Sequence, residues 1–344
     1  MSPGRSRSLV TAGSAVVALG ALGATVAASP PPVIAPGTTS ADTTISGEPG
    51  FPRIIEVGDD TVAIDAKPQR IVALSTDVAE VALALAGPDR LVALPATNAN
   101  PAVGALPDEA SEVGYQLAHG ESVDEAQLTA WDADLVLVSP NHAAERALSA
   151  ELAGGDIPLI VMPNSWDDLD DVRTNVTLIG AALGADAMAG EMVEEITERE
   201  SVVADRVAGL DGRPSVLILT NVAQVPFLIG PGTATHDLVT TAGGLDAAES
   251  LEVTVPISGI DADQIVAVDP DAILLVDGLG TGRAAFAALL AEPGVSELSV
   301  VTDNRILVLP ARDTFGAAHT LVDGLEAIAE WLHPRAVNAT TSTG

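Results

Sequence analysis

The side chains with useful chemistry in this 344-residue chain lie mostly in loops that follow predicted buried strands. In open α/β sheets, ligands bind beyond the carboxyl ends of the strands, so these loops form the candidate site. They combine hydroxyl, amide, imidazole, guanidinium and aromatic groups, which together suit a ligand held by an apolar wall and a few polar contacts. The candidate ligand-binding residues are Thr76, Tyr115, Asn141, His142, Trp166, Asn221, Arg283, Arg312 and Phe315.

His142 has the most specific chemistry of this set. Imidazole is a good axial ligand for haem iron, so His142 is a candidate metal ligand in that one role. A capping or solvent-facing histidine explains the same residue equally well. A direct zinc or manganese site would need three or four converging ligands, and the sequence has no HxH or HxxxH spacing.

Two arginines are candidates for pairing with an anionic ligand. Arg283 and Arg312 follow predicted strands of the second half of the chain, in a sequence with few cations. Guanidinium groups bind carboxylates and anionic chelates well. The alternative is a solvated surface arginine, or an ion pair with the neighbouring Asp277 or Asp313.

Aromatic and glycine-rich segments leave similar alternatives open. Tyr115 and Trp166 could stack on a flat ligand, or could simply pack within their loops. The segment Gly278-Leu-Gly-Thr-Gly282 has the look of a phosphate-binding loop, but no Lys-Ser/Thr follows it. We therefore expect a flexible loop beside the cleft.

Composition narrows the range of functions. The formal net charge is −33, and such an acidic surface repels nucleic acid and anionic lipid. The sequence contains no cysteine, which excludes disulfides, thiolate metal sites and cysteine nucleophiles. It also lacks the Gly-x-Ser-x-Gly motif and a metal-hydrolase motif.

The amino-terminal segment has the pattern of an export signal. Arg5 and Arg7 precede an uncharged run of small and apolar residues that ends at Ala28. We predict a signal peptide over 1–28 and a location in the cell envelope or outside the cell; a retained anchor is the alternative. A lipoprotein signal would place cysteine where Ser29 stands, so we expect no lipid there. Residues 29–50, rich in Pro, Thr and Ser, predict a disordered tether.

Hydrophobic patterning predicts strands that alternate with helices, which implies mainly parallel sheets. Two alternating runs within 53–65 predict a β-hairpin, and Asp186–Leu210 has the apolar spacing of one long helix, about 35 Å in length. The predicted fold class is α/β: two Rossmann-like lobes with mainly parallel sheets, bridged by one long α-helix, with a ligand cleft between the lobes. The predicted boundaries are 51–184 for the N-terminal lobe, 185–210 for the bridging helix, 211–335 for the C-terminal lobe and 336–344 for a disordered tail.

A weak internal repeat supports two similar lobes. The segments Asp124–Val138 and Asp261–Leu275 match at a single offset, including Asp134 with Asp271. Each copy predicts a short helix, a turn and a buried strand. Helix–turn–strand units resemble one another in general, which is the alternative explanation.

Several motifs resemble the substrate-binding proteins of bacterial importers for iron-siderophores, haem and vitamin B12. The resemblance covers residues 53–333, and it implies two α/β lobes bridged by one rigid helix, with the ligand in the cleft. The matching motifs are Lys67-Pro-Gln-Arg-Ile-Val-Ala-Leu-Ser75 with Glu80, Val113-Gly114, Asp134-Leu-Val-Leu, Ile179-Gly-Ala-Ala-Leu-Gly184, Gly230-Pro-Gly-Thr233 and Ala242-Gly-Gly244.

The resemblance also implies a function. It predicts a non-catalytic, monomeric extracytoplasmic protein that captures an iron complex, either a ferric siderophore or haem, and passes it to an ABC-type permease. It predicts no permanently bound cofactor. A soluble haem or cobalamin scavenger, a receptor without a permease, and an enzyme on the same two-lobed fold remain as alternatives.

Family members dock onto permease arginines through a surface carboxylate on each lobe. The docking candidates in this sequence are Glu125 and Asp263. Ala126 stands at the family's position in the first lobe, with Glu125 one residue earlier, and Asp263 replaces a glutamate in the second lobe. The resemblance therefore supports the fold more strongly than it supports permease docking.

Overall fold

Two α/β lobes lie on either side of one long helix. The computed structural model describes residues 43–46 and 50–334, except 141–142, 222–224, 252, 254 and 316–319. The signal peptide predicted over 1–28 and the tail predicted over 336–344 lie outside the described residues. Within the part that is described, no helix is both long enough and apolar enough to cross a membrane.

A small antiparallel sheet precedes the first lobe. The predicted hairpin is present, with Gly58 in its turn at a positive φ of 58°. A disordered tether was expected over 29–50, but Thr43–Ser46 form a strand. This β-prone segment pairs with the open edge of the hairpin, with Ile45 opposite Ile55. The three strands are β1 (Thr43–Ser46), β2 (Arg53–Val57) and β3 (Asp60–Ile64).

A parallel five-stranded sheet forms the centre of the first lobe, in the order β6-β5-β4-β7-β8. Its central strands are continuous apolar runs because helices cover both faces. The elements are β4 (Ile71–Ala73), α1 (Thr76–Ala86), β5 (Leu91–Pro95), α2 (Pro107–Glu112), β6 (Tyr115–Leu117), α3 (Glu125–Ala130), β7 (Leu135–Val138), α4 (Ala143–Leu152), β8 (Leu159–Val161) and α5 (Leu169–Leu183).

The bridging helix, α6 (Asp186–Val207), has 22 residues and spans about 33 Å. Its fully buried side chains, Ala189, Ile196 and Val203, recur every seven residues and so form one narrow stripe. Met188, which the helical pattern placed on the buried face, is 50% exposed. The helix ends at Val207 rather than Leu210, and most of its charged side chains lie outside the buried stripe.

Asp186, the first residue of α6, ties the helix to the hairpin. Arg53 of β2 donates from both terminal nitrogens to the two carboxylate oxygens of Asp186, each at 2.8 Å. It also donates to the carbonyl of Ala181 in α5 at 2.7 Å. The arginine is 5% exposed and the Asp186 side chain is 54% exposed, so the start of α6 is fixed by a bidentate contact at the edge of the buried region.

A mixed sheet in the order β12-β10-β9-β13-β14, with β11 beside β9, forms the second lobe. Strands β9, β11, β13 and β14 are parallel, whereas β10 and β12 add an antiparallel edge. The elements are β9 (Ser215–Thr220), β10 (Phe227–Ile229), α7 (Ala234–Thr241), β11 (Leu245–Asp246), β12 (Ile257–Gly259), α8 (Ala262–Val268), β13 (Ala272–Asp277), α9 (Ala287–Leu290), α10 (Ser299–Thr302), β14 (Ile306–Pro310) and α11 (Thr320–Leu332).

Sequence patterning does not identify every strand of this sheet. The apolar segment after Asn221 contains β10, whose Phe-Leu-Ile run pairs antiparallel with β9. The run is fully buried, and three residues are too short for a periodic pattern to separate a strand from an apolar loop.

The internal repeat is present in three dimensions. Asp124 and Asp261 each cap a helix, α3 or α8, by accepting from the backbone N–H three residues later. Asp134 accepts from the backbone N–H of Arg70 at 2.9 Å, and Asp271 accepts from that of Ser215 at 2.8 Å. In each lobe an aspartate therefore fixes the start of the neighbouring central strand.

One hydrophobic core runs through both lobes. It contains the α1 and α5 layer of the first lobe, the buried stripe of α6, and the α7 and α11 layer of the second. Two smaller clusters lie on the outer faces of the sheets, under α3 and α4 in the first lobe and under α8 and α9 in the second. The lobes are consequently joined by packing as well as by the chain.

Candidate functional site: the cleft between the lobes

Loops at the carboxyl ends of the strands face each other across the two lobes. The loop after β5, residues 96–106, reaches from the first lobe to the second. Arg312, which follows β14, donates from its backbone N–H to the carbonyl of Ala102 at 3.1 Å and from its side chain to the carbonyl of Pro101 at 2.5 Å. Gly280 lies close enough that an added Cβ would be 3.7 Å from the Ala102 methyl group. These contacts bridge one side of the cleft.

A buried carboxylate holds the bridging loop in shape. Glu80 of α1 is 2% exposed and accepts from the Asn98 amide at 2.6 Å and from the Ala105 backbone N–H at 2.8 Å. Burial raises the pKa of Glu80, although the hydrogen bonds from Asn98 and the backbone oppose that effect. Gly104 is required here, because a Cβ would lie 1.9 Å from the Asn98 carbonyl oxygen.

Hydroxyl groups at the carboxyl ends of the first-lobe strands form a hydrogen-bond network. Ser139, after β7, donates from its backbone N–H to the Ser75 hydroxyl at 2.9 Å, and the Ser75 hydroxyl donates to the Ser139 carbonyl at 3.2 Å. The indole N–H of Trp166 donates to the Ser139 hydroxyl at 2.7 Å. Beside this network, the Thr76 and Thr97 hydroxyls lie 2.8 Å apart.

Trp166 is therefore part of the lobe rather than a free wall of the cleft. It is 5% exposed, its backbone has a positive φ of 60°, and its ring packs in the main core. Little of the ring remains for stacking on a ligand. Thr76, at the start of α1, is only partly buried and keeps its predicted place at the strand end.

An aspartate fills the glycine-rich loop of the second lobe. Asp277, at the end of β13, accepts from the Asn221 amide at 2.8 Å and from the backbone N–H groups of Gly282 at 2.5 Å and Leu279 at 3.1 Å. Burial acts to raise the pKa of Asp277, but these hydrogen bonds outweigh it and leave the pKa lowered. The backbone donors that a phosphate would need are thus already bound.

Asn221 has a structural role in the same loop. It is completely buried, and its carbonyl oxygen accepts from the Gly278 backbone N–H at 2.8 Å. It joins the ends of β9 and β13, and so it shapes the cleft without exposing its own side chain.

The two predicted arginines point in different directions. Arg312 stays at the strand ends, where it bridges the lobes and also pairs with Asp313 at 3.3 Å. Arg283 donates to the side chain of Asn304 at 2.6 Å, and Asn304 precedes β14. The chain after the glycine loop turns back along the edge of the sheet, so the Arg283 guanidinium lies toward the amino ends of the strands, away from the cleft.

Tyr115 also lies away from the cleft. Its ring packs against Trp131, with ring centroids 4.9 Å apart, and its hydroxyl donates to Glu121 at 2.6 Å. The hydrogen bond to Glu121 raises the pKa of Tyr115. Tyr115 opens β6 instead of following it, so its side chain joins the outer face of the sheet under α3.

The other predicted site residues lie outside the described residues, pack against the core or are exposed. Asn141 and His142 lie outside the described residues. Phe315 is partly buried and packs against the main core. Glu125 and Asp263 are exposed in the first turns of α3 and α8, the equivalent helices of the repeat.

Sequence reasoning missed one cation at the strand ends. Arg146 lies in the first turn of α4, and it folds back to donate to the carbonyl of Pro140, just after β7, at 2.8 Å. The sequence did contain a signal for Arg146. A helix that starts directly after a buried strand keeps its first turn near the carboxyl end of that strand. Arg146 and Arg312 thus contribute one guanidinium from each lobe.

Comparison with known proteins agrees with this architecture. The sequence model of a family described as periplasmic binding protein matches residues 71–312. This chain belongs to the periplasmic binding protein family. The match runs from the first strand of the N-terminal lobe to the Arg312 loop, so it includes both walls of the cleft and the bridging helix.

One curated relative matches most of this chain. The uncharacterized ABC transporter substrate-binding lipoprotein YvrC of Bacillus subtilis (strain 168) is 22% identical over 291 residues, which cover 83% of this chain and 86% of that protein.

Several solved structures share the fold. A periplasmic heme-binding protein from Pseudomonas aeruginosa has 23% identity and a TM-score of 0.65, covering 78% of this chain and 94% of that one. An ABC-type Fe3+-hydroxamate transport protein from Saccharomonospora viridis DSM 43017 has 23% identity and a TM-score of 0.63, covering 82% and 99%. The molybdate-binding protein MolA of Haemophilus influenzae has 15% identity and a TM-score of 0.68, covering 82% and 91%. At these identities the likeness establishes the two-lobed fold alone.

Proposed function

We propose that this chain is an extracytoplasmic substrate-binding protein that captures an iron complex, a ferric siderophore or haem, and delivers it to an ABC-type importer. The observation that carries the proposal is the meeting of polar loops from both lobes at the carboxyl ends of their strands, where Arg312 contacts Ala102 and Pro101. Family membership, the ABC transporter name of the Bacillus relative, and the haem and Fe3+-hydroxamate proteins of the same fold support it.

An anionic or polar chelate suits the charges at the strand ends. Arg146 and Arg312 lie on opposite lobes, and each already contacts a loop carbonyl. A bound anion would gain charge-assisted hydrogen bonds from both sides at once. Tyr115 is engaged by Glu121 and Trp131, so an axial haem ligand from the candidate set would have to be His142.

Ligand titration tests the assignment. Residues 29–344 would be titrated with haem, ferric hydroxamate and catecholate siderophores, cobalamin and molybdate, following tryptophan fluorescence and visible spectra. A Soret shift that vanishes in His142→Ala identifies haem, whereas quenching by siderophores alone identifies a siderophore. Binding of molybdate or cobalamin alone, or of none of these, contradicts the iron assignment.

Arginine variants test the site independently of the ligand's identity. We expect Arg146→Gln and Arg312→Gln each to weaken the binding of an anionic ligand by roughly 10- to 100-fold, since a charge-assisted hydrogen bond contributes about 1.5–3 kcal/mol. Arg206→Gln, near the end of α6 and the amino ends of the second sheet, is the matched control and should bind normally. Unchanged affinity in both cleft variants would place the ligand elsewhere.

Delivery to a permease is a separate part of the proposal. Glu125 and Asp263 are exposed in the first turns of the equivalent helices α3 and α8, with Glu125 one residue before the position that matches Asp263. One exposed carboxylate on each lobe suits docking onto a two-fold membrane partner. The double variant Glu125→Arg/Asp263→Arg should keep its ligand affinity and lose stimulation of the transporter ATPase. Full stimulation by the double variant would mean that other residues dock onto the permease, whereas no stimulation by the parent protein would favour a receptor that works without a permease.

The proposed location is outside the cytoplasm. It rests on the export-signal pattern of 1–28 and on the family. The Bacillus relative is named a lipoprotein, whereas Ser29 stands in this sequence where a lipid-carrying cysteine would be. Cell fractionation, with and without a Ser29→Cys variant, tests whether the protein is released or retained.

A further inference from the structure

Two open strand edges of the first lobe face each other across a cavity. β3, the outer strand of the hairpin sheet, and β8, the edge of the five-stranded sheet, both line this cavity, whose volume is about 360 Å³. That volume lies in the range of roughly 300–1,000 Å³ that is typical of binding pockets. Among the described residues, β3 pairs with β1–β2 sheet partners only through β2, and β8 pairs only with β7. Each strand therefore leaves one edge open toward the cavity.

The pairing of β8 determines which of its backbone groups are free. The Pro158 carbonyl accepts from β7 at 2.9 Å, and the Met162 N–H donates to β7 at 2.8 Å. Alternate residues of a strand direct their N–H and C=O groups to opposite sides. The backbone groups of Leu159 and Val161 therefore point away from β7, and both residues line the cavity.

The hairpin turn determines the same for β3. Val57 and Asp60 flank a two-residue turn, so they form a hydrogen-bonded pair, and such pairs alternate along the strand from there. Thr61 and Ala63 occupy the positions between these pairs, so their backbone N–H and C=O groups point away from β2. Both residues are exposed and line the cavity. An extended segment between the two edges would find donors and acceptors on both sides.

The charged side chains around this cavity are all acidic. A second cavity of about 240 Å³ shares the loop 153–157 with the first and is also lined by Glu125 and Glu151. Asp60 lines the first cavity and Asp156 lines both. All four carboxylates are exposed, and none is paired with another side chain of the described residues. No described arginine or lysine lines either cavity, so this surface fits a cationic partner.

Glu125 connects this surface to the proposed docking of the first lobe. Its Oε1 lies against the shared loop, 3.7 Å from where a Cβ added at Gly155 would stand. Glu151 and Asp156 thus supplement the docking candidate whose family position holds Ala126. A second copy of this chain fits less well, because it brings a formal net charge of −33 to an acidic surface.

We propose that these two adjoining cavities, the edge groove, receive an extended segment of the permease that carries arginine or lysine. The backbone of the segment pairs with the open edges of β3 and β8. Its basic side chains meet Glu125, Glu151 and Asp156. The inference rests on the proposed delivery to a permease, and it names a surface of this chain that the partner uses.

Stimulation of the transporter ATPase in lipid nanodiscs tests the backbone pairing. Ala63→Pro removes one N–H from the open edge of β3, where proline is tolerated. The concentration of this protein that gives half-maximal stimulation should rise about two- to tenfold, because one hydrogen bond is lost. Ala63→Val keeps the N–H and is the matched control, so it should behave like the parent. Ligand affinity should be unchanged in both variants.

A second variant tests the charges. Glu151→Gln/Asp156→Asn should raise the half-maximal concentration roughly three- to tenfold and make it less sensitive to salt. Glu198→Gln/Asp205→Asn makes the same charge change at exposed positions of α6. This control should keep the value and the salt dependence of the parent.

A photo-crosslink identifies the occupant. The sequence has no native cysteine, so a benzophenone label can be attached at Ala153→Cys, an exposed residue that lines both cavities. Mass spectrometry of the crosslinked peptides should find a permease segment that contains arginine or lysine. Crosslinks only within this chain, or only to a second copy of it, would overturn the inference.

Failure of the inference can be distinguished from failure of the proposed delivery. If the parent stimulates the ATPase while Ala63→Pro and Glu151→Gln/Asp156→Asn both match it, delivery stands and the edge groove is not the docking surface. If the parent stimulates no ATPase, delivery itself fails, and the groove loses its partner. Should circular dichroism show that Ala63→Pro does not fold, the charge variant and the crosslink decide.

Discussion

The contact between α5 and α6 predicts opposite effects for the same substitution at two glycines. Gly190 lies in the exposed surface of α6, where an added Cβ would meet no atom within 4 Å. Gly180 lies in the buried face of α5, where an added Cβ would be 2.3 Å from the Ala189 methyl carbon of α6. This close approach attaches the bridging helix to the first lobe.

The magnitudes follow from helix propensity and overlap. Replacing glycine by alanine in a helix interior raises the free energy of unfolding by about 1 kcal/mol, and we expect Gly190→Ala to raise it by close to that amount. Gly180→Ala gains the same propensity, but two methyl carbons need a separation of about 3.5–4.0 Å. Forcing α5 and α6 apart by more than an ångström costs about 3 kcal/mol, the upper end for overpacking. The expected net loss is about 2 kcal/mol.

Removing the opposing methyl group should restore the contact. In the variant Gly180→Ala/Ala189→Gly the methyl group passes from one helix to the other, so the double variant should be more stable than the two single effects predict by about 1–3 kcal/mol. Urea unfolding followed by circular dichroism at 222 nm measures the parent, the single variants Gly180→Ala, Ala189→Gly and Gly190→Ala, and the double variant. An equal gain from Gly180→Ala and Gly190→Ala, or additive behaviour of the pair, would show that α5 and α6 are not locked together.

Three further predictions concern buried polar contacts. Arg53→Met should lower the free energy of unfolding by about 2 kcal/mol, because the buried Ala181 carbonyl loses its donor and the half-exposed Asp186 loses its partner. Because the Arg53 hydrogen bond lowers the pKa of Asp186, the smaller cost of Asp186→Asn should be present above about pH 4 and fade as the pH falls further. Glu80→Ala should cost about 2–3 kcal/mol and loosen residues 96–106 in hydrogen exchange, whereas Glu80→Gln, which can still bond Asn98, should cost about 1 kcal/mol. Asn221→Ala should cost about 2–3 kcal/mol, read in urea, because the Gly278 backbone N–H loses its acceptor.

Patterns that depend on local spacing were predicted well. The hairpin around Gly58 and the helix–turn–strand repeat are confirmed because turn residues, caps and apolar runs act over a few neighbouring positions. The strand β10 was missed because Phe227–Ile229 is too short to show a period. Residues 43–46 were predicted as tether, since pairing with β2 is a long-range contact that composition does not report.

Side-chain direction at the candidate site was predicted less well. A residue in a loop after a strand can point to the cleft, into the lobe or back along the sheet. Arg312 points to the cleft, Trp166 points into the lobe, and Arg283 points back along the sheet. Arg146 was missed because its reach back to Pro140 depends on how α4 packs.

By itself, the sequence determined that this chain builds two similar α/β lobes around one long helix. Apolar runs, capping aspartates and the repeat are local signals, and burial of apolar surface leaves few other ways to satisfy them. Tertiary structure alone decided what faces the cleft. The Arg312 contacts with Ala102 and Pro101 join residues of the two lobes that lie far apart in the chain. Such contacts form only after both lobes have folded and packed, because distance, burial and charge at those sites are set by the neighbours that packing supplies.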